Sequence, residues 1–156
     1  ARKESSAASD VYKRQLLVDM PPEEAKDLDA VLKQHDMDQI FLLAPTSTDE
    51  RIQHVVKQAS GFIYYVSLKG VTGAATLDTA EAAARIAKIK THTHVPVGVG
   101  FGISDAASAK AMGQVADAVI VGSALVKPFA TLAIDQAVDQ TVNKIKELRA
   151  ALDELV

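Results

Sequence analysis

From Leu16 onward the sequence alternates short apolar runs with segments of helical periodicity, five times over. The runs are Leu16–Met20, Ile40–Ala44, Phe62–Val66, Val95–Val99 and Ala118–Val121. They are apolar at nearly every position rather than at every second one, so both faces of each strand are covered. Strands of that kind, joined by helices, form a parallel sheet with right-handed crossovers. An open doubly wound sheet and a segment of a barrel both satisfy the pattern.

The segments between the runs read as helices. Pro22, followed by Glu23 and Glu24, suits a first helical turn, because proline lacks the N–H that would go unused and acids favour the positive end of the dipole. Leu28, Val31 and Leu32 give this helix an apolar face, and it ends near His35-Asp36. Ser47-Thr-Asp-Glu50 reads as a capping box ahead of Ile52, Val55 and Val56. Further helices are expected over 77–90 and 105–112, with one turn at 123–127 interrupted by Pro128. The last helix is expected over 129–155, with Ile134, Val138, Val142, Ile145, Leu148 and Leu152 spaced for an inward face. Residues 1–15 show neither period and read as a non-native or disordered tail, with 16–156 as the domain.

Two strand ends carry glycine and a hydroxyl residue before a helical pattern: Gly100-Phe-Gly-Ile-Ser104 and Gly122-Ser123. A backbone so arranged offers N–H groups to an anion at a helix N-terminus. Two such cups on successive strands match the phosphate site that barrels build after their last two strands. A barrel needs eight β-α units and typically about 250 residues. This chain has 156 residues and five units, so the expected fold is a partial (β/α)8 TIM barrel lacking its front strands.

The bulk numbers narrow the function classes. The net charge is −3, which argues against a nucleic-acid surface built on excess Lys and Arg. There are no cysteines, which excludes disulfides, thiolate chemistry and cysteine-based zinc sites. No apolar run approaches the roughly 18 residues of a membrane span. A cytoplasmic protein is expected. His92 and His94 form a His-x-His pair, but no third ligand stands near, and the pair reads as a solvated loop rather than a metal site. His35 and His54 carry no motif.

Leu-Val-Asp-Met-Pro, Gly-Val-Thr-Gly, Gly-Phe-Gly-Ile-Ser and Gly-Ser-Ala-Leu-Val, in that order and spacing, resemble the α subunit of tryptophan synthase. The resemblance covers about residues 16–155. It implies an eight-stranded barrel that cleaves indole-3-glycerol phosphate to indole and glyceraldehyde 3-phosphate, the visible strands being the fourth to eighth. It implies a β-subunit partner, which carries the pyridoxal phosphate; the α side needs no cofactor. By the same resemblance Gly73, Gly100, Gly102, Gly122 and Ser123 match positions that hold the phosphate. Thr72 matches a loop threonine that braces a catalytic aspartate. Tyr64 and Leu42 match walls of the indole pocket, and Asp19 and Pro21 match positions near the partner contact.

Each residue also has a plainer reading. The glycines allow positive φ and close packing. Tyr64 is a mid-strand aromatic of the kind that fills cores. Asp19 could cap the following helix or loop. The family's catalytic glutamate and aspartate lie on early strands that are not visible here, so no residue is assigned as the catalytic acid and this fragment is expected to be inactive alone. The alternatives are a non-catalytic phosphate-binding or interaction module, self-associating through the edge strand Leu16–Met20, or another phosphate-binding barrel such as indole-glycerol-phosphate synthase.

Overall fold

The structure, a computed structural model, describes residues 14–18, 20–67, 79–100 and 102–155. Five parallel strands make one sheet in chain order: β1 (Arg14–Leu16), β2 (Asp38–Leu43), β3 (Ile63–Val66), β4 (Val97–Gly100) and β5 (Ala118–Ile120). Helices α1 (Lys26–Gln34), α2 (Asp49–Gln58), α3 (Thr79–Lys90) and α4 (Ala106–Gly113) fill the crossovers. After β5 come the short α5 (Ser123–Val126), a 3-10 turn over Lys127–Ala130 and the long α6 (Ile134–Asp153). With every neighbour consecutive and parallel, the sheet is a half-barrel whose edges are β1 and β5.

Alternation along each strand sorts side chains between two faces. Phe41, Leu43, Ile63, Tyr65, Val97 and Val99 point toward the helices and form the core with Ile52, Val55, Ile86, Ile89, Ala109 and Met112. The intervening residues, including Leu42, Tyr64, Gly98, Gly100 and Ile120, belong to the opposite, concave face. The pairing places Leu42 beside Tyr64 and Tyr64 beside Gly98.

The helices form where the chemistry favours them. Thr48 caps α2 by accepting the Arg51 N–H at 3.2 Å, and Asp49 and Glu50 follow in the first turn. In α3 the alanine-rich segment buries Ala82, Ile86 and Ile89 on one stripe, with Lys88 and Lys90 at the negative end of its dipole. Asp105 and Ser108 form a reciprocal capping box on α4.

Several expectations are corrected. The first strand is Arg14–Leu16, not Leu16–Met20, so Arg14 and Gln15 pair with Asp38 and Gln39 instead of belonging to an irregular tail. Pro22, Glu23 and Glu24 make a turn before α1 rather than its first turn; Glu23 is drawn across to Arg51 and His54 of α2, both at 3.2 Å. The cap of α2 is Thr48, because the Ser47 hydroxyl turns back to accept the Ala44 N–H at 2.9 Å. α6 starts at Ile134 rather than 129, since Pro128 holds the preceding segment in a tight 3-10 turn. Its expected inward face is only half realised: Leu148 is buried with Ala137 and Ala151, whereas Ile134, Val138, Val142 and Ile145 are exposed. Residues 1–13 lie outside the described residues.

At the far end of the sheet from the cups, Asp117 accepts the Val97 N–H at 2.8 Å and the Lys90 ammonium at 2.7 Å. Partial burial works to raise its pKa, but the hydrogen bonds from Lys90 and Val97 and the Lys90 charge outweigh that and hold it below the ordinary value. A carboxylate held low in the folded state contributes stability above its unfolded pKa of about 3.9 and loses it as pH falls through the folded value. Resistance to urea is therefore expected to weaken below about pH 4. Asp117→Asn is expected to show a shallower acid limb than the unmodified chain; identical limbs would remove Asp117 from the account.

Candidate functional site

A cavity of about 180 Å³ opens on the concave face at the strand ends, lined by Tyr64, Gly102, Ile103, Ile120, Gly122 and Ser123. It lies where ligands bind in parallel α/β folds, outside the carboxyl ends of the strands. Its volume is below the roughly 300–1,000 Å³ of a cleft that encloses a whole drug-sized molecule. It is sized for one end of a ligand.

Tyr64 forms one wall, and burial pushes its phenol pKa up, so the hydroxyl remains neutral at physiological pH. The ring lies flat over β4 because Gly100 has no side chain: a Cβ there would lie 2.6 Å from the Tyr64 Cε2 and would also collide with the Tyr64 hydroxyl. Gly100 is buried, and its carbonyl is taken by Ser67. It is not among the residues lining the cavity and instead makes room for Tyr64. Gly102 takes φ +77°, a left-handed conformation that glycine adopts without steric cost. Ile103 closes the floor and is buried.

The two cups are unequal. At α4 the donors are already used by the chain's own side chains. The Asp105 carboxylate accepts the Ser108 N–H at 2.8 Å, and the Ser108 hydroxyl oxygen accepts the Ser104 and Asp105 N–H groups, each at 3.2 Å. The Glu147 carboxylate, reaching over from α6, accepts the Ala106 N–H at 3.3 Å. The Ser108 backbone hydrogen bond is the main cause lowering the Asp105 pKa, and the Lys144 ammonium does the same for Glu147, so both remain anionic at neutral pH. At α5, by contrast, Gly122 is the N-cap with no side-chain hydrogen bond, and a Cβ on it would meet nothing within 4 Å. Of the two helix ends, one is thus capped by the chain's own side chains and the other is open, with Gly102 adding its turn beside the open one.

Of the residues singled out in the sequence, the cavity brings together Tyr64, Gly102, Gly122 and Ser123. Leu42 is half-buried beside Tyr64 but outside the lining. Pro21 stands in the turn after β1, its carbonyl accepting the Glu24 N–H at 3.1 Å. Asp19, Thr72 and Gly73 lie outside the described residues. Sequence reasoning missed Ile103, Ile120 and Ser67. Ile120 could have been found by alternation from Gly122 along its strand; nothing local marks Ser67, whose role depends on a carbonyl on the neighbouring strand. No group of three or more potential metal ligands occurs among the described residues.

Comparison with known proteins places the fold in one family. The tryptophan synthase alpha chain family model matches residues 7–155, beginning inside the segment read as a tail. The tryptophan synthase alpha chain of Acinetobacter baylyi is 90% identical over 141 residues, 90% of this chain and 53% of that one. That of Janthinobacterium sp. is 56% identical, over 89% of this chain and 52% of that one. Among solved structures, tryptophan synthase subunit alpha from Legionella pneumophila superposes with a TM-score of 0.75 at 30% identity, over 91% of this chain and 52% of that one. Tryptophan synthase from M. tuberculosis gives 0.74 at 33% identity, over 88% and 49%. The chain spans about half the length of the curated relatives it matches. On the match of the family model across nearly all of its residues, the chain belongs to the tryptophan synthase alpha chain family.

Proposed function

We propose that this chain is the phosphate-holding half of a lyase that cleaves indole-3-glycerol phosphate to indole and glyceraldehyde 3-phosphate in tryptophan biosynthesis in the cytoplasm. The observation that carries the reading is the cavity itself, with Gly102, Gly122 and Ser123 at one end and the neutral Tyr64 ring as a wall. Backbone N–H groups and a hydroxyl suit a phosphate, and the flat aromatic suits the indole side. Thr72 and Gly73 would serve the same site from the loop, and Leu42 would extend its apolar wall. Asp19 and Pro21 would face a β subunit, to which the pyridoxal phosphate belongs; the α half would need no cofactor or metal of its own.

Retro-aldol cleavage requires a proton delivered to the indole ring and a base for the glycerol hydroxyl, work suited to carboxylates of tuned pKa. Among the described residues, the lining contains no carboxylate. The 156-residue chain alone is therefore expected to bind glycerol 3-phosphate but to release no indole. Calorimetric titration should give saturable heat at millimolar ligand, lost in Ser123→Ala combined with Gly122→Val. Absence of heat would overturn the phosphate reading. Indole release at the rate of an intact family member would overturn the assignment of inactivity.

A second reading, an interaction module that self-associates, is favoured by the outer edge of β1, which has no strand partner among the described residues, and by the apolar stripe of Phe129, Ile134, Val138, Val142 and Ile145 on the outside. A second copy of the chain would cover it. Light scattering is then expected to show dimers or larger species that Val138→Glu with Val142→Glu returns to monomer; a monodisperse monomer at high concentration would dismiss this reading.

A further inference from the structure

We propose that Ser67 is a positioning residue for the anion-binding turn, acting through the carbonyl of Gly100. Ser67 follows directly on β3 and is buried. Its backbone N–H donates to the Gly100 carbonyl at 3.0 Å, and its hydroxyl donates to the same oxygen at 2.9 Å. The first bond continues the parallel ladder, in which Val66 pairs with Gly100. The second is additional and fills the other lone-pair direction of that carbonyl.

The carbonyl belongs to the peptide that leaves β4. Two residues on, Gly102 stands at φ +77° with its backbone on the cavity. Glycines on either side of a turn leave its peptide planes free to rotate. An anion held by backbone N–H groups needs those planes fixed, because an amide aimed away from the ligand contributes little. The two hydrogen bonds from Ser67 fix the last plane of the strand and with it the departure of the turn. Ser67 is outside the cavity lining, so its effect passes through Gly100 and Gly102 rather than through contact with ligand. The opposite end of β4 has its own clamp, Asp117 on the Val97 N–H, far from the cavity.

The inference rests on the reading that the cavity takes a phosphate, and the experiment separates the two. Glycerol 3-phosphate is titrated into the full chain by calorimetry and by following the Gly102 amide resonance. Ser67→Ala is expected to weaken binding by about fivefold, the scale of one lost hydrogen bond, and to shift the Gly102 amide in the free protein. Ser67→Thr, which keeps the hydroxyl, is expected to restore both. Asp117→Ala removes a bond from the same strand at its other end; it should lower Tm while leaving the affinity and the Gly102 resonance in place. Should Ser67→Ala fail to fold, Ser67→Cys keeps the size with a much weaker donor and is expected to show the same weakening. Unchanged affinity in the hydroxyl-lacking variant, or equal weakening in Asp117→Ala, overturns the positioning role. No binding by the unmodified chain overturns the phosphate reading and this inference with it.

Discussion

Replacing Gly100 with alanine is expected to destabilise the chain by about 2–3 kcal/mol, the upper part of the range for forcing a methyl group into filled space. The added Cβ would lie 2.6 Å from the Tyr64 Cε2 and 2.9 Å from its Cζ. These are ring atoms, so no rotation of a flexible end relieves them; either the whole ring leaves its place or β4 moves away from β3. Tyr64→Phe would not help, since the ring carbons remain. Tyr64→Ala would, and in that background the cost of Gly100→Ala should nearly vanish, giving a coupling energy close to the single-mutant effect. Two neighbours calibrate the result. At Gly98 an added Cβ meets the Ile120 Cδ1 at 3.0 Å and the Phe62 Cδ2 at 3.3 Å, and the first of these is a flexible side-chain end, so the cost should be smaller. At Gly122 nothing lies within 4 Å, and alanine should fold normally. Urea midpoints for the three variants should rank Gly100 worst and Gly122 mildest; equal effects would mean that Tyr64 is not held in this way.

That ranking also shows what could be read from the sequence. The β-α repetition located five parallel strands, because uninterrupted apolar runs have few other uses. Gly102, Gly122 and Ser123 were legible as positions where a strand ends and a helix begins, and the fold gathers them around one cavity. Gly100 belongs to the same motif but acts differently, and the difference lies in a side chain on another strand. The same limit applies at α4. Asp105 and Ser108 announce a capping box locally, yet nothing near residue 106 indicates that Glu147 will occupy its N–H. The start of α1 was misplaced because the acids after Pro22, reasonable first-turn residues, are used instead in the turn that holds Arg51 and His54. Local pattern finds elements and candidate positions; contacts between residues distant in sequence decide what each position does.

The same distinction bears on which apolar residues hold the half-barrel together. Ile86 and Val142 look alike in sequence: each is β-branched and each falls on a helical apolar period. Ile86 is 1% exposed and packs in the cluster with the helix-facing side chains of the sheet; Val142 is 41% exposed on the outer side of α6. Truncating Ile86 to alanine deletes buried methyl and methylene groups from a filled core and should cost about 2–5 kcal/mol. In a half-barrel this size, that is a large part of a typical total stability of about 5–15 kcal/mol, so Ile86→Ala should be partly unfolded at room temperature. Truncating Val142 removes area that water already reaches and should change stability by less than about 0.5 kcal/mol. Measured by urea denaturation at low protein concentration, where association does not contribute, the pair should differ several-fold. A comparable loss in Val142→Ala would place the outer stripe of α6 in the core, against the geometry in which the second half of α6 meets α4, through Glu147, Leu152 and Glu154.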